Sequence, residues 1–122
     1  MQMTQQKAIL VVEDDASIGE IIALTLSEET SLQVYLASNG QEALKILREV
    51  VPAIFLLDYQ LPSMTGLQLY DYLHTLPEFA EIPTIMMSAN LPWRELEKRH
   101  ILGLQKPFEI DELIEIVERT AS

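Results

Sequence analysis

No cysteine occurs among the 122 residues, so disulfides, thiol catalysis and zinc–thiolate sites are excluded. Basic residues are scarce: eight Lys and Arg stand against nineteen acids. The resulting net charge of −11 argues against nucleic acid or an anionic membrane surface as the direct partner. No apolar stretch approaches membrane-spanning length. Met1 to Lys7 are polar and lack the apolar core of a secretion signal, which sets the expectation of a cytoplasmic protein. Repeats, low-complexity segments and linkers are absent too. The length suffices for one core and not for two. A polar tail over 1–7 and one domain over 8–120 are therefore expected.

What is present is a set of short apolar runs that end in reactive side chains. Ala53-Ile54-Phe55-Leu56-Leu57-Asp58 is entered through Pro52 and closed by Tyr59-Gln60-Leu61-Pro62. It predicts a central strand covered on both faces, with a carboxylate at its end. Ala8–Val12 repeats the shape and runs straight into Glu13-Asp14-Asp15. Thr84–Ser88 is a further apolar strand ending in a hydroxyl, and Ile101–Gln105 a weaker one ending at Lys106-Pro107. Leu32, Val34 and Leu36 alternate with polar or amphipathic residues, the pattern of a less buried edge strand. Helical spacing lies between the strands: Ile18, Ile21, Ile22, Thr25 and Leu26; Ala43, Leu44 and Leu47; Leu69, Tyr70, Leu73 and Leu76; a short polar stretch over 92–100; and Ile110, Leu113, Ile114 and Val117. Capping-box spacing at Ser17–Glu20 and Ser38–Gln41 marks two helix starts.

Strand–helix alternation with right-handed crossovers predicts an α/β fold, a doubly wound five-stranded parallel sheet. The flavodoxin-like order 2-1-3-4-5 is the usual one for five strands. In it the first and third strands are neighbours, and Glu13, Asp14 and Asp58 share one pocket at the carboxyl edge. Three carboxylates there need cationic compensation, which a divalent ion and one ammonium supply. Oxygen ligands with room for water suit Mg²⁺ or Mn²⁺. Asp58 beside such an ion is a nucleophile toward phosphorus, with Ser88 and Lys106 the donor types for phosphoryl oxygens. Each residue also has an ordinary use. Asp15 reads as a helix-start residue complementing the dipole, Ser88 alone as a turn residue and Lys106 alone as a solvated lysine. His74 and His100 lack metal-ligand spacing and read as surface residues. The joint placement on four strand ends is what points to a site.

Four segments together, Ile9–Asp15, Leu57–Gly66, Pro83–Ala89 and Lys106-Pro107-Phe108, resemble the receiver domain of response regulators in two-component signalling, chemotaxis-regulator-like, over essentially the whole chain. The resemblance implies that Asp58 accepts a phosphoryl group from the phosphohistidine of a sensor histidine kinase or a histidine phosphotransfer protein. It implies Mg²⁺ held by Asp14 and Asp58, by Glu13 largely through water, and by the Gln60 backbone carbonyl. Ser88 and Lys106 then hold the acyl phosphate, and a cis Lys106-Pro107 bond is expected. The domain is a signalling phosphoacceptor that assists only its own phosphotransfer and dephosphorylation, not an enzyme acting on a separate substrate. Two departures stand out: Gly103 occupies the place of an aromatic, and the fourth helix is about one turn short. No output domain follows Thr120, so a stand-alone protein and a piece of a longer one are both open. An aspartyl-phosphate phosphatase of the haloacid-dehalogenase kind is the enzymatic alternative, but it expects an acid where Gln60 stands. A receiver-like scaffold independent of phosphate is the other.

Overall fold

The apolar runs that lead to Glu13 and to Asp58 form strands because their hydrophobic side chains are more stable out of water. All five residues of β1 (Ala8–Val12) and all five of β3 (Ile54–Asp58) are buried. In this computed structural model, which describes residues 6–121, they are followed or flanked by α1 (Ala16–Glu29), β2 (Gln33–Ala37), α2 (Gly40–Leu47), a small hairpin of β4 (Gln60–Leu61) and β5 (Met64–Thr65), α3 (Gly66–Leu73), β6 (Thr84–Ser88), α4 (Trp93–Arg99), β7 (Leu102–Gln105) and α5 (Ile110–Ala121). The main sheet is parallel with order β2-β1-β3-β6-β7. Counting only its own strands, this is the expected 2-1-3-4-5; the β4–β5 hairpin is the one element that was not anticipated.

Alternation along the strands divides the core in two. Leu10, Val12, Phe55, Leu57 and Met86 face one way, with Leu69 and Leu73 of α3 and Leu96 of α4. Ile9, Val11, Ile54, Leu56, Ile85 and Met87 face the other, with Ile22 and Leu26 of α1 and Leu113, Ile116 and Val117 of α5. Complete burial of each large side chain contributes about 1.5–3 kcal/mol, so a sheet covered on both faces is the stable outcome.

Several local expectations shift. Asp15, not Ser17, caps α1: its Oδ1 accepts from Ile18 N at 3.0 Å. The buried face of α1 is Gly19, Ile22 and Leu26, leaving Ile18 and Ile21 at the surface. Asn39, not Ser38, caps α2 by accepting from Glu42 N at 2.8 Å, and the Glu42 carboxylate reaches back to Ser38 N and Oγ, both at 2.7 Å. Those bonds, the backbone one first, hold the Glu42 carboxyl below its ordinary value. A reciprocal capping box between Thr65 and Gln68 starts α3, which ends before Leu76. In β2, Tyr35 as well as Val34 packs on the core, one on each face, while Leu36 lies at the surface. His74 is half-buried instead of solvated: its ring stacks on Tyr70 with centroids 3.8 Å apart, between the carbonyls of Tyr70 and Ile82. His100 is exposed, as expected, in the left-handed conformation that ends the short α4.

Of the tail expected over 1–7, residues 1–5 lie outside the described residues. Gln6 Nε2 donates to Ser31 O at 2.8 Å, and Lys7 O accepts from Gln33 N at 2.8 Å. Among the described residues, no helix is long and apolar enough to cross a membrane.

Candidate functional site

At the carboxyl edge of the sheet the neighbouring ends of β1, β3 and β6 open onto a cavity of about 290 Å³. Every residue singled out from the sequence lines it: Glu13, Asp14, Asp58, Gln60, Ser88 and Lys106. β3 carries Asp58 to this edge, and pairing to β6 continues one residue past it, with Tyr59 N donating to Met87 O at 2.8 Å. Asp58 therefore stands on rigid backbone, 5% exposed. α3 packs hard against the same strand end. A β-carbon on Gly66 would collide with the Asp58 carbonyl and stand 2.6 Å from Met86 Sδ, so only glycine fits.

Glu13, Asp14 and Asp58 each offer a carboxylate oxygen, and the three oxygens lie within 4.8 Å of one another. Glu13 and Asp58 are buried and Asp14 is exposed. Lys106 Nζ donates to Glu13 Oε1 at 2.8 Å and to Asp58 Oδ2 at 3.4 Å. Burial pushes the Glu13 carboxyl up, Asp58 adds to the rise, and Lys106 only partly offsets it. Burial alone would lower the Lys106 ammonium, but the bond to Glu13 and the charge of Asp58 outweigh it and hold it above its ordinary value. One ammonium against three carboxylates leaves net negative charge in a space lined by hard oxygen donors, which fits a small divalent cation with water in its remaining positions.

The other donors are placed by the turns. Gln60 N donates to Asp58 Oδ1 at 3.3 Å, and Asn90 N donates to Ser88 Oγ at 3.1 Å. Asp15 is the α1 cap already described, although its N–H donates to Glu13 Oε2 at 3.2 Å. The Lys106-Pro107 bond is cis.

Residues 9–118 match the family model of the response regulator receiver domain. The chain belongs to that family. It is a receiver domain of two-component signalling, with the chemotaxis-regulator-like flavodoxin fold. The DNA-binding response regulator MtrA of Mycobacterium tuberculosis is 32% identical over 119 residues, covering 91% of this chain and 49% of MtrA. This receiver thus spans about half the length of that relative. The probable transcriptional regulator ycf27 of Porphyra purpurea is 38% identical over 85 residues, 70% of this chain and 33% of ycf27. Among solved structures, the chemotaxis response regulator CheY4 of Vibrio cholerae shares the fold, with a TM-score of 0.85 over 95% of this chain and 99% of that one, at 24% identity. The receiver domain of sensor histidine kinase PA1611 from Pseudomonas aeruginosa PAO1 superposes with a TM-score of 0.83 at 25% identity, covering 96% and 98% of the two chains. In that structure a magnesium ion is coordinated in the active-site cleft.

Where an aromatic is expected, this receiver has Gly103, and the space above it is filled from another element. A β-carbon there would stand 2.6 Å from Trp93 Cζ3 and 3.0 Å from Leu91 Cδ1. α4, seven residues long as its shortened sequence implies, is held at its far end by Arg99, whose Nε and Nη2 donate to both Asp71 oxygens at 2.8 and 3.0 Å. Neither contact was legible in the sequence. Tryptophan and glycine at 93 and 103 follow no spacing rule, and Asp71 and Arg99 meet only because α3 and α4 are neighbours.

Proposed function

We propose that Asp58 is the phosphoacceptor of this receiver, taking a phosphoryl group from the phosphohistidine of a sensor histidine kinase or a histidine phosphotransfer protein. The observation that carries the reading is one buried carboxylate facing an ammonium at 3.4 Å, inside a cavity also lined by three further acids and a hydroxyl. A carboxylate oxygen of Asp58 bonds to phosphorus as the phosphorus–nitrogen bond breaks. The electron pair stays on the departing imidazole, which takes a proton from solvent, and an acyl phosphate remains. Lys106 and Ser88 face the phosphoryl oxygens and stabilise their charge as it redistributes. Glu13, Asp14, Asp58 and the Gln60 carbonyl would hold Mg²⁺, with Mn²⁺ an alternative. When bound, the ion screens the anionic carboxylate from the anionic phosphoryl group.

The donor has a surface to sit on. Beside the acid cavity, and sharing Ile18, Ala89 and Lys106 with it, lies an apolar groove of about 420 Å³. Ile21 and Ile110 line it and are 58% and 52% exposed. Helical phosphodonors with an apolar face fit such a groove and bring their histidine over Asp58. On this reading the unit spans 8–120, works in the cytoplasm, and promotes only its own phosphorylation and dephosphorylation. Its downstream target is a protein or an output domain.

The test is intact-mass and peptide mass spectrometry after treatment with phosphoramidate and Mg²⁺. One phosphoryl group on the peptide containing Asp58 is expected. A protein that stays unlabelled, or is labelled elsewhere, overturns the reading.

A further inference from the structure

Two positions on β7 hold the loop that follows Ser88. Alternate residues of a strand share a face; Leu104 is buried with α1 and α5, so Gly103 and Gln105 both turn toward α4. At Gly103 the contact is apolar, with Trp93 and Leu91. At Gln105 it is polar: the side-chain Nε2 donates to the Ala89 carbonyl at 2.5 Å. Backbone pairing between the strands ends with Lys106 N donating to Ser88 O at 2.9 Å. Beyond that point the Gln105 amide extends the grip of β7 to the next residue, Ala89, which lines both the acid cavity and the apolar groove.

We propose that Gln105 is a positioning residue for phosphoryl transfer to Asp58. By fixing the Ala89 carbonyl it sets the Ser88 hydroxyl toward the Asp58 carboxylate before the phosphoryl group arrives. The inference rests on the phosphoacceptor reading and adds to it a residue that touches no reacting atom. Ser88 itself ends β6, but the Asn90 N–H that donates to its hydroxyl lies on the loop after Ala89. A hydroxyl oriented from an unheld loop has to be ordered as the transition state forms, and one already in place does not. Gln105 does not line the cavity in which Glu13, Asp14 and Asp58 bring their oxygens together. Its influence falls on transfer and not on metal affinity. One neutral hydrogen bond of this kind accounts for about a two- to tenfold effect on rate.

The experiment compares wild type with Gln105→Met, which keeps the length and loses the donor, and Gln105→His, whose Nε2–H has nearly the same reach. Three quantities are measured: the rate constant for labelling Asp58 by phosphoramidate at saturating Mg²⁺, Mg²⁺ affinity without donor, and amide hydrogen exchange of Asn90 in metal-free protein. Labelling of Gln105→Met is expected to slow by about two- to tenfold, with Mg²⁺ affinity unchanged, faster exchange at Asn90, and recovery of the rate in Gln105→His. Labelling at the wild-type rate or faster in Gln105→Met overturns the inference. So does a slow variant whose Mg²⁺ affinity falls in parallel, which marks general damage. Wild-type protein that is never labelled at Asp58 removes the phosphoacceptor reading itself, an outcome distinct from both.

Discussion

At the scale of the residue, carboxylates that sit side by side have different tasks, and substitution separates them. Asp58→Asn is expected to abolish labelling while leaving the melting temperature unchanged or slightly raised, because a repelling charge leaves a cluster whose Glu13 is already pushed up by burial. Mg²⁺ at a hundred times its Kd stabilises by about 2.7 kcal/mol through linkage, roughly 10 °C in Tm for a domain of this size. Thermal melts should show that rise in wild type and lose it in Asp14→Ala. Asp15→Ala should keep the rise and melt lower throughout, by about 1 kcal/mol for the lost cap on α1. Gly66→Ala places a β-carbon against the Asp58 carbonyl, and denaturant unfolding should register a loss of about 3 kcal/mol. These acids were legible because a carboxylate that ends an apolar strand has little structural use. Gln105 was not legible. Its residue type is ordinary, its position at the end of a weak strand unremarked, and its partner a backbone carbonyl that no pattern announces.

At the scale of the element, α4 is pinned at both ends by contacts of different kinds. Arg99 pairs with both oxygens of Asp71 on α3, and the Tyr70 hydroxyl donates to Arg99 O at 3.0 Å. The bond to Arg99 holds the Asp71 carboxyl below its ordinary value. Folded Asp71 therefore releases its proton more readily than unfolded Asp71. The stabilisation is complete above the unfolded value of about 3.9 and is lost as pH falls through the lower folded one. The difference in unfolding free energy between wild type and Asp71→Asn should be present at neutral pH and vanish in acid. It should stay below about 1 kcal/mol, since the Asp71 side chain is 53% exposed. At the other end, Gly103→Ala drives a β-carbon into the outer edge of the Trp93 ring. The ring is 53% exposed and free to swing outward, so stability should change by less than about 1 kcal/mol while the emission maximum shifts to the red. Helix existence and order were read correctly from periodicity. The face of α1 was not, because Ile18 and Ile21 satisfy the spacing of a buried stripe and yet border the groove beside Phe108. The stripes of α2 and α3 were, with Ala43, Leu47, Leu69 and Leu73 buried, and that of α5 in part, with Leu113 and Val117 buried but Ile110 exposed.

At the scale of the whole molecule, the topology was legible because strand and helix patterns alternate and right-handed crossovers leave few arrangements. The β4–β5 hairpin was not, since two-residue strands fall below any periodic signal and Ser63 adopts a positive φ of 69° that its type does not advertise. The site inherits its precision from this architecture. Glu13 and Lys106 lie 93 positions apart in the chain and 2.8 Å apart in space. The acids arrive with β1 and β3, the hydroxyl and the ammonium with β6 and β7. No fragment that begins after Glu13 or stops before Lys106 contains the whole site. On a ribosome, a chain that has not yet released β7 already carries its acids but lacks the ammonium that gathers them. Assembly of the site thus waits on folding through β7, and a chain folded only as far as β6 lacks the ammonium. In a denaturant series, labelling of Asp58 should fall along the same curve as Trp93 emission. Labelling that outlives the fluorescence transition would show that half the molecule is enough.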